Sequence, residues 1–142
     1  MKVTNVYTPE AGVAHETPLY ASQPAAGFPA PGDDMVESSL DIHDLVVKNP
    51  TATFFVRVQG DSMEGAGIFS GDVLVVDRAK EQKVGSIVVA AVFGELVVKR
   101  LTTVRGQLAL VSEQTGYEPI MVDAHEDCFV WGTVVGSVRQ FA

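Results

Sequence analysis

Cationic side chains are scarce in this chain: 10 Lys and Arg stand against 18 Asp and Glu in 142 residues, a formal net charge of −8. Such a balance lacks the clustered cations that a general affinity for nucleic acid or anionic membrane needs, so any role near DNA would run through another protein. Long apolar runs are missing as well. No stretch of about 18 apolar residues occurs, and Lys2 is not followed by a continuous apolar segment, so neither a spanning helix nor a signal peptide is expected and the expected compartment is the cytoplasm. Cysteine is reduced to Cys128, which excludes an internal disulfide. It follows Glu126 and Asp127, whose charge disfavours a thiolate, and it opens the apolar run Cys128-Phe129-Val130-Trp131, so a small core residue is expected rather than a nucleophile. His15, His43 and His125 have no partner one helical turn away and no neighbouring cysteine. No metal site is assigned, and no cofactor is expected.

What is present suffices for one ordinary domain, with 46% hydrophobic residues to build a core. Proline is unevenly spread: five of the seven, Pro9, Pro18, Pro24, Pro29 and Pro31, fall within residues 1–32, where Lys2, Glu10 and Glu16 are the only charges. That density forbids a long helix and predicts an extended, flexible arm over 1–32, ahead of a body over 33–142. Within the arm, Ala25-Ala26-Gly27-Phe28-Pro29 sets three small residues in a row. An unshielded peptide bond of this kind is what a protease substrate offers.

Asp41 to Lys48 reads as a short helix, with Asp41 near the N-cap, Lys48 in the last turn and Pro50 as the stop. From Thr51 onward the pattern is strand after strand: 53–58, 73–77, 87–92, 95–101, 107–111, 119–122 and 129–138, with hairpins at Phe93-Gly94-Glu95 and Val104-Arg105-Gly106-Gln107. The expected fold is mainly β, of curled and mostly antiparallel sheets, with one short helix and an extended N-terminal arm.

Chemistry concentrates at Gly60-Asp61-Ser62-Met63-Glu64, between the apolar run 53–58 and the turn-rich Gly65-Ala66-Gly67-Ile68-Phe69-Ser70-Gly71-Asp72. A serine where a strand breaks into a glycine-rich turn can expose its hydroxyl beside backbone N–H groups, the two requirements of acyl transfer, although serine also occupies turns for purely local reasons. Ser62 needs a base. In Glu95-Leu96-Val97-Val98-Lys99-Arg100-Leu101 the period of two sets Lys99 on the face of Val97 and Leu101. If that face is buried, desolvation lowers the lysine pKa from its ordinary ~10.4 and a neutral amine becomes available as general base. Otherwise the lysine snorkels to solvent. Arg100 cannot serve, because guanidinium keeps its proton.

Four motifs occur in order: Gly60-Asp61-Ser62-Met63, Ser70-Gly71-Asp72-Val73-Leu74-Val75-Val76-Asp77, Gly85-Ser86-Ile87-Val88 and Val97-Val98-Lys99-Arg100-Leu101. Together, from about residue 25 to the end, they resemble the serine/lysine self-cleaving peptidases of the LexA and UmuD group. The resemblance implies Ser62 as nucleophile, Lys99 as general base, Ala26-Gly27 as the scissile bond, and backbone N–H groups of Asp61 and Ser62 as oxyanion donors. Met63 would line the cleft or serve the core, and Asp72 and Asp77 would hold turns. A proline-rich segment of 26 residues before the cut leaves no room for a helix-turn-helix domain, which is similar to UmuD-type members. For these the resemblance implies a homodimer, activation by a RecA filament on single-stranded DNA, and service to a UmuC-like Y-family translesion polymerase in the SOS response, with no direct specific DNA binding and no membrane. The alternatives are a LexA-like repressor, which needs a DNA-reading domain, a signal-peptidase-like protease, which needs an anchor, and an interaction module in which Ser62 and Lys99 are relics.

Overall fold

The computed structural model describes residues 1–9, 16–20, 36–122 and 127–141. Contacts divide the chain into two units, Met1–Pro9 with Asn49–Ala142, and Glu10–Lys48.

The larger unit is built on a mainly antiparallel sheet. Its strands are β1 (Lys2–Tyr7), β4 (Thr53–Gln59), β5 (Val73–Asp77), β6 (Ile87–Val92), β7 (Glu95–Val104), β8 (Gln107–Val111), β9 (Ile120–Met121) and β10 (Cys128–Val138), with β2 (Glu16–Tyr20) and β3 (Val36–Asp41) belonging to the smaller unit. The spatial order is β1-β4-β5-β10-β6-β7-β8-β9, and a further β1–β7 pairing closes a ring of six strands from which β8 and β9 extend. Closure removes most free edges, the usual hazard of an antiparallel sheet.

The strands expected from Thr51 onward are all present, and the mainly β class holds. β7 runs three residues past its expected end and pairs with β8 from Arg100↔Val111 to Val104↔Gln107. The turn between them has Arg105 at φ 53° and Gly106 at φ 78°, the double left-handed geometry whose twist matches a two-residue hairpin.

One apolar cluster contains Val56, Val58, Met63, Ile68, Leu74, Val76, Val89 and Val98. A second contains Val88, Ala90, Leu101, Leu110 and Cys128. Neighbouring residues of β6 and β7 thus point into different clusters, which is why these strands read as nearly continuous apolar runs rather than alternating ones. Cys128 is the small core residue the sequence suggests, its thiol pushed up by burial.

Lys2–Tyr7 departs from the sequence reading. Expected as part of a loose arm, it is a strand of the ring, paired along β4 from Lys2↔Gln59 to Tyr7↔Phe55. Lys-Val-Thr-Asn-Val-Tyr has the β-branched and aromatic content of a strand, but Val6 and Tyr7 are 45% and 46% exposed, so no buried face marks it.

In the smaller unit β2 and β3 pair antiparallel from Glu16↔Asp41 to Tyr20↔Val36. The helix α1 (Ile42–Val46) follows, shorter than the sequence suggests but capped as expected: Asp41 accepts from the N–H groups of His43 and Asp44. Ala26 and Gly27 lie outside the described residues. No helix among the described residues is long and apolar enough to cross a membrane.

Candidate active site

Ser62 stands three residues beyond the end of β4, in a loop closed at its neck by two backbone bonds, Gly71 N–H to the Val58 carbonyl (2.8 Å) and Val58 N–H to the Asp72 carbonyl (3.1 Å). Inside the loop, Ala66 and Ile68 both donate to the Met63 carbonyl, and the Met63 side chain is fully buried in the first cluster. Met63 is therefore the anchor that pulls this turn onto the core. Ser62, next to it, is only 1% exposed.

The far side of the loop hangs on Asp72. Its carboxylate accepts from the Phe69 N–H (2.9 Å) and from two nitrogens of Arg139 (2.7 Å each), and Arg139 also donates to the Gly67 carbonyl. The hydrogen bond from Arg139 holds the Asp72 carboxyl below its ordinary pKa, against the opposing effect of burial. Asp77, for its part, accepts from Asn49 Nδ2 and from the Ala79 N–H.

Lys99 lies where β7 changes partner. One edge of β7 pairs with β6 throughout Glu95–Arg100, while the other meets β1 at Val97 and β8 from Arg100 onward. Lys99 falls between the last two, is 9% exposed, and donates from Nζ to Ser112 Oγ at 2.7 Å. The Tyr117 ring covers it, with Nζ 5.3 Å from the centroid. Burial lowers its pKa from the ordinary lysine value, the direction the sequence reading required.

The segment after β8 ties the two residues together. Ser112 holds the Lys99 amine, and the next residue, Glu113, donates its N–H to the Ser62 carbonyl at 2.9 Å. The Glu113 carboxylate pairs with Arg100 Nε, beside Lys99 on β7. Gly65 admits this approach, because a Cβ there would stand 2.4 Å from the Glu113 carbonyl oxygen. One dipeptide thus registers the turn that carries Ser62 against the strand that carries Lys99.

A third group enters the site. The α-ammonium of Met1 donates to Ser62 Oγ at 2.6 Å. Its pKa is lowered by burial first and by the Lys99 charge second, while Asp61 opposes them. Ser62, Lys99 and the Met1 amine therefore occupy one neighbourhood, although Ser62 bonds Met1 and Lys99 bonds Ser112. Asp61 is exposed at the rim.

Ser112 and Met1 escaped the sequence reading. Ser112 was within reach: with Arg105-Gly106 as a two-residue turn, pairing Val104 with Gln107 and Arg100 with Val111 sets the next position across from Lys99. Met1 carried no such signal, since a chain terminus has no periodicity to read.

The chain matches the model of the family described as Peptidase S24-like over residues 18–135. It is 38% identical to Protein MucA of Salmonella typhimurium over 141 residues, 99% of this chain and 96% of that one. It is 37% identical to Protein SamA of Salmonella typhimurium over 128 residues, 90% of this chain and 89% of that one. With the LexA repressor of Bordetella petrii the identity is 38% over 119 residues, 83% of this chain but 52% of the repressor.

Proposed function

The chain belongs to the Peptidase S24-like family, and we propose that it is a self-cleaving serine peptidase in which Ser62 is the nucleophile, Lys99 the general base and Ala26-Gly27 the bond cut. The observation that carries this reading is a buried hydroxyl sharing its site with a buried amine whose pKa is lowered by desolvation. Only the uncharged amine can take a proton, and burial enlarges its share near neutral pH.

In the proposed step the neutral Lys99 Nζ takes the Ser62 proton as Oγ bonds to the Ala26 carbonyl carbon, whose π electrons move onto oxygen. Collapse of this intermediate breaks the bond to the Gly27 nitrogen, which leaves with the proton from Lys99. Water then attacks the Ala26–Ser62 ester with Lys99 again as base, freeing residues 1–26 from 27–142. The N–H groups of Asp61 and Ser62 are the proposed donors to the oxyanion. In support, the backbone bonds within the turn start only at the Glu64 N–H, which donates to the Asp61 carbonyl. Tethering the substrate raises its effective concentration, so a slow site suffices for one cut per chain.

The resemblance to the LexA and UmuD group extends the proposal. The trimmed chain acts as a homodimer and as accessory subunit of a Y-family translesion polymerase in the SOS response, after cleavage stimulated by RecA on single-stranded DNA. A net charge of −8 suits a subunit that leaves DNA contact to the polymerase. The test is incubation of purified protein, alone and with a RecA filament, followed by intact-mass measurement. A fragment beginning at Gly27, formed by the wild type and absent from Ser62→Ala and Lys99→Ala, is the expected result; an uncut wild type in both conditions leaves an interaction module with an idle pair.

A further inference from the structure

β1 is mostly exposed, yet it ends on the most guarded group of the site. Met1, which precedes it, and Val3 within it pack on the first apolar cluster. Its backbone does more: Lys2 is paired with both Gln59 of β4 and Val97 of β7, and the Val98 N–H donates to the Met1 carbonyl at 3.0 Å. At Gly60 a Cβ would come within 3.2 Å of Met1 Cα, so the first residue is seated against bare backbone. Beyond Lys2 the strand parts from β7, and a cleft of about 320 Å³ opens between Val3–Val6 and Gly94–Leu96. A segment held by main-chain bonds in a gap between two strands, with few side-chain anchors, has the character of an added strand rather than of a core element.

We propose that the gap between β4 and β7 is a site for an extended peptide strand, that Met1–Tyr7 is its resident occupant, and that this segment competes with the Ala26-Gly27 stretch for Ser62. The competition rests on the peptidase reading above, whereas the occupancy rests on the backbone contacts alone. A carbonyl carbon about to react must approach the hydroxyl oxygen to roughly 3–3.5 Å. The Met1 ammonium already stands 2.6 Å from that oxygen and donates to it, so it occupies one approach to the hydroxyl and draws electron density from the atom that must attack. The chain also runs outward from Ser62 with its amine at the nucleophile, which is how the amine-side product of a cut would lie. Met1–Tyr7 thus imitates a product and keeps the site closed until it leaves.

The test uses the full chain, with Val3→Asp to remove the apolar anchor and Lys2→Pro to remove a backbone donor. Two quantities are followed at pH 8.5, the rate of appearance of the Gly27 fragment and the exchange rate of the Val98 amide. Both variants are expected to cleave at least fivefold faster than wild type and to exchange Val98 at least tenfold faster. Cleavage unchanged or slowed, with Ser62→Ala still uncut, overturns the competition while the peptidase reading stands. If no form cleaves, the peptidase reading and the competition fall together, and Val98 decides the occupancy: slow exchange in wild type that is lost in both variants supports it, and equal exchange in all three overturns it.

Discussion

Lys99 Nζ donates to Ser112 Oγ across the β7–β8 register, one position before the Arg100↔Val111 pair, at 2.7 Å. The bond fixes the amine of a flexible four-carbon side chain, and its partner sits next to the residue that holds the Ser62 carbonyl.

Ser112→Ala should therefore slow self-cleavage about fivefold, since one hydrogen bond of this kind is worth on the order of 1 kcal/mol and tenfold corresponds to about 1.4 kcal/mol. Ser112→Thr, which keeps the hydroxyl, should stay within about threefold of wild type, a smaller loss than deleting that bond outright. Rates of fragment formation check both, and an undiminished Ser112→Ala would remove the hydroxyl from any part in holding the amine.

Gly65→Ala should impair cleavage through the same dipeptide. The added methyl would meet the Glu113 carbonyl oxygen at 2.4 Å, so the Glu113 segment must withdraw and its bond to Ser62 must lengthen. Fragment formation slowed in a protein with wild-type near-UV dichroism is the expected outcome.

Lys99 should cost stability at neutral pH. Its folded pKa is lowered by burial, so between the folded and unfolded pKa values the unfolded chain binds more protons and stability rises with pH. Below the folded pKa the full cost is present. In a Ser62→Ala background, which stays intact, adding Lys99→Met should raise the melting temperature at pH 7 by a few degrees, and the gain should shrink as pH climbs into the lysine range.

Arg139→Ala should destabilise the loop that carries Ser62, because Asp72 is buried and would lose its principal partner. The Asp72 pKa is depressed, chiefly by Arg139, so this stabilisation is complete above the ordinary carboxylate pKa and fades as pH falls through the folded value. Thermal unfolding should separate wild type from Arg139→Ala clearly at pH 7 and progressively less below about pH 4.

How far the sequence could be read depended on burial. β5 and β6 are legible to the residue because Val73–Asp77 and Ile87–Val92 are dense in β-branched residues between turn signals. β1, β2 and β3 were not, since Lys2–Tyr7 presents mostly exposed positions and Pro18 and Ser38-Ser39 interrupt any strand signature in the others. At the site, the strand break pointed to an exposed Ser62 hydroxyl, which the structure instead buries under the Met63 turn, and the pleat of β7 set the face of Lys99 while leaving its burial to be decided by the strands around it. The hydrogen-bond partners of Ser62 and Lys99 come from residues far apart in the chain, Met1 and Ser112, and only the second could be reached by counting across a hairpin.

The pH dependence of the first-order rate of self-cleavage bears most directly on Lys99 as base. The expected profile climbs about tenfold per unit from pH 7, the slope of a single required deprotonation, and levels once Lys99 has lost its proton, while Lys99→Arg yields no fragment at any pH. A rate that is flat between pH 7 and 10, or a Lys99→Arg chain that still cuts itself, would contradict the claim.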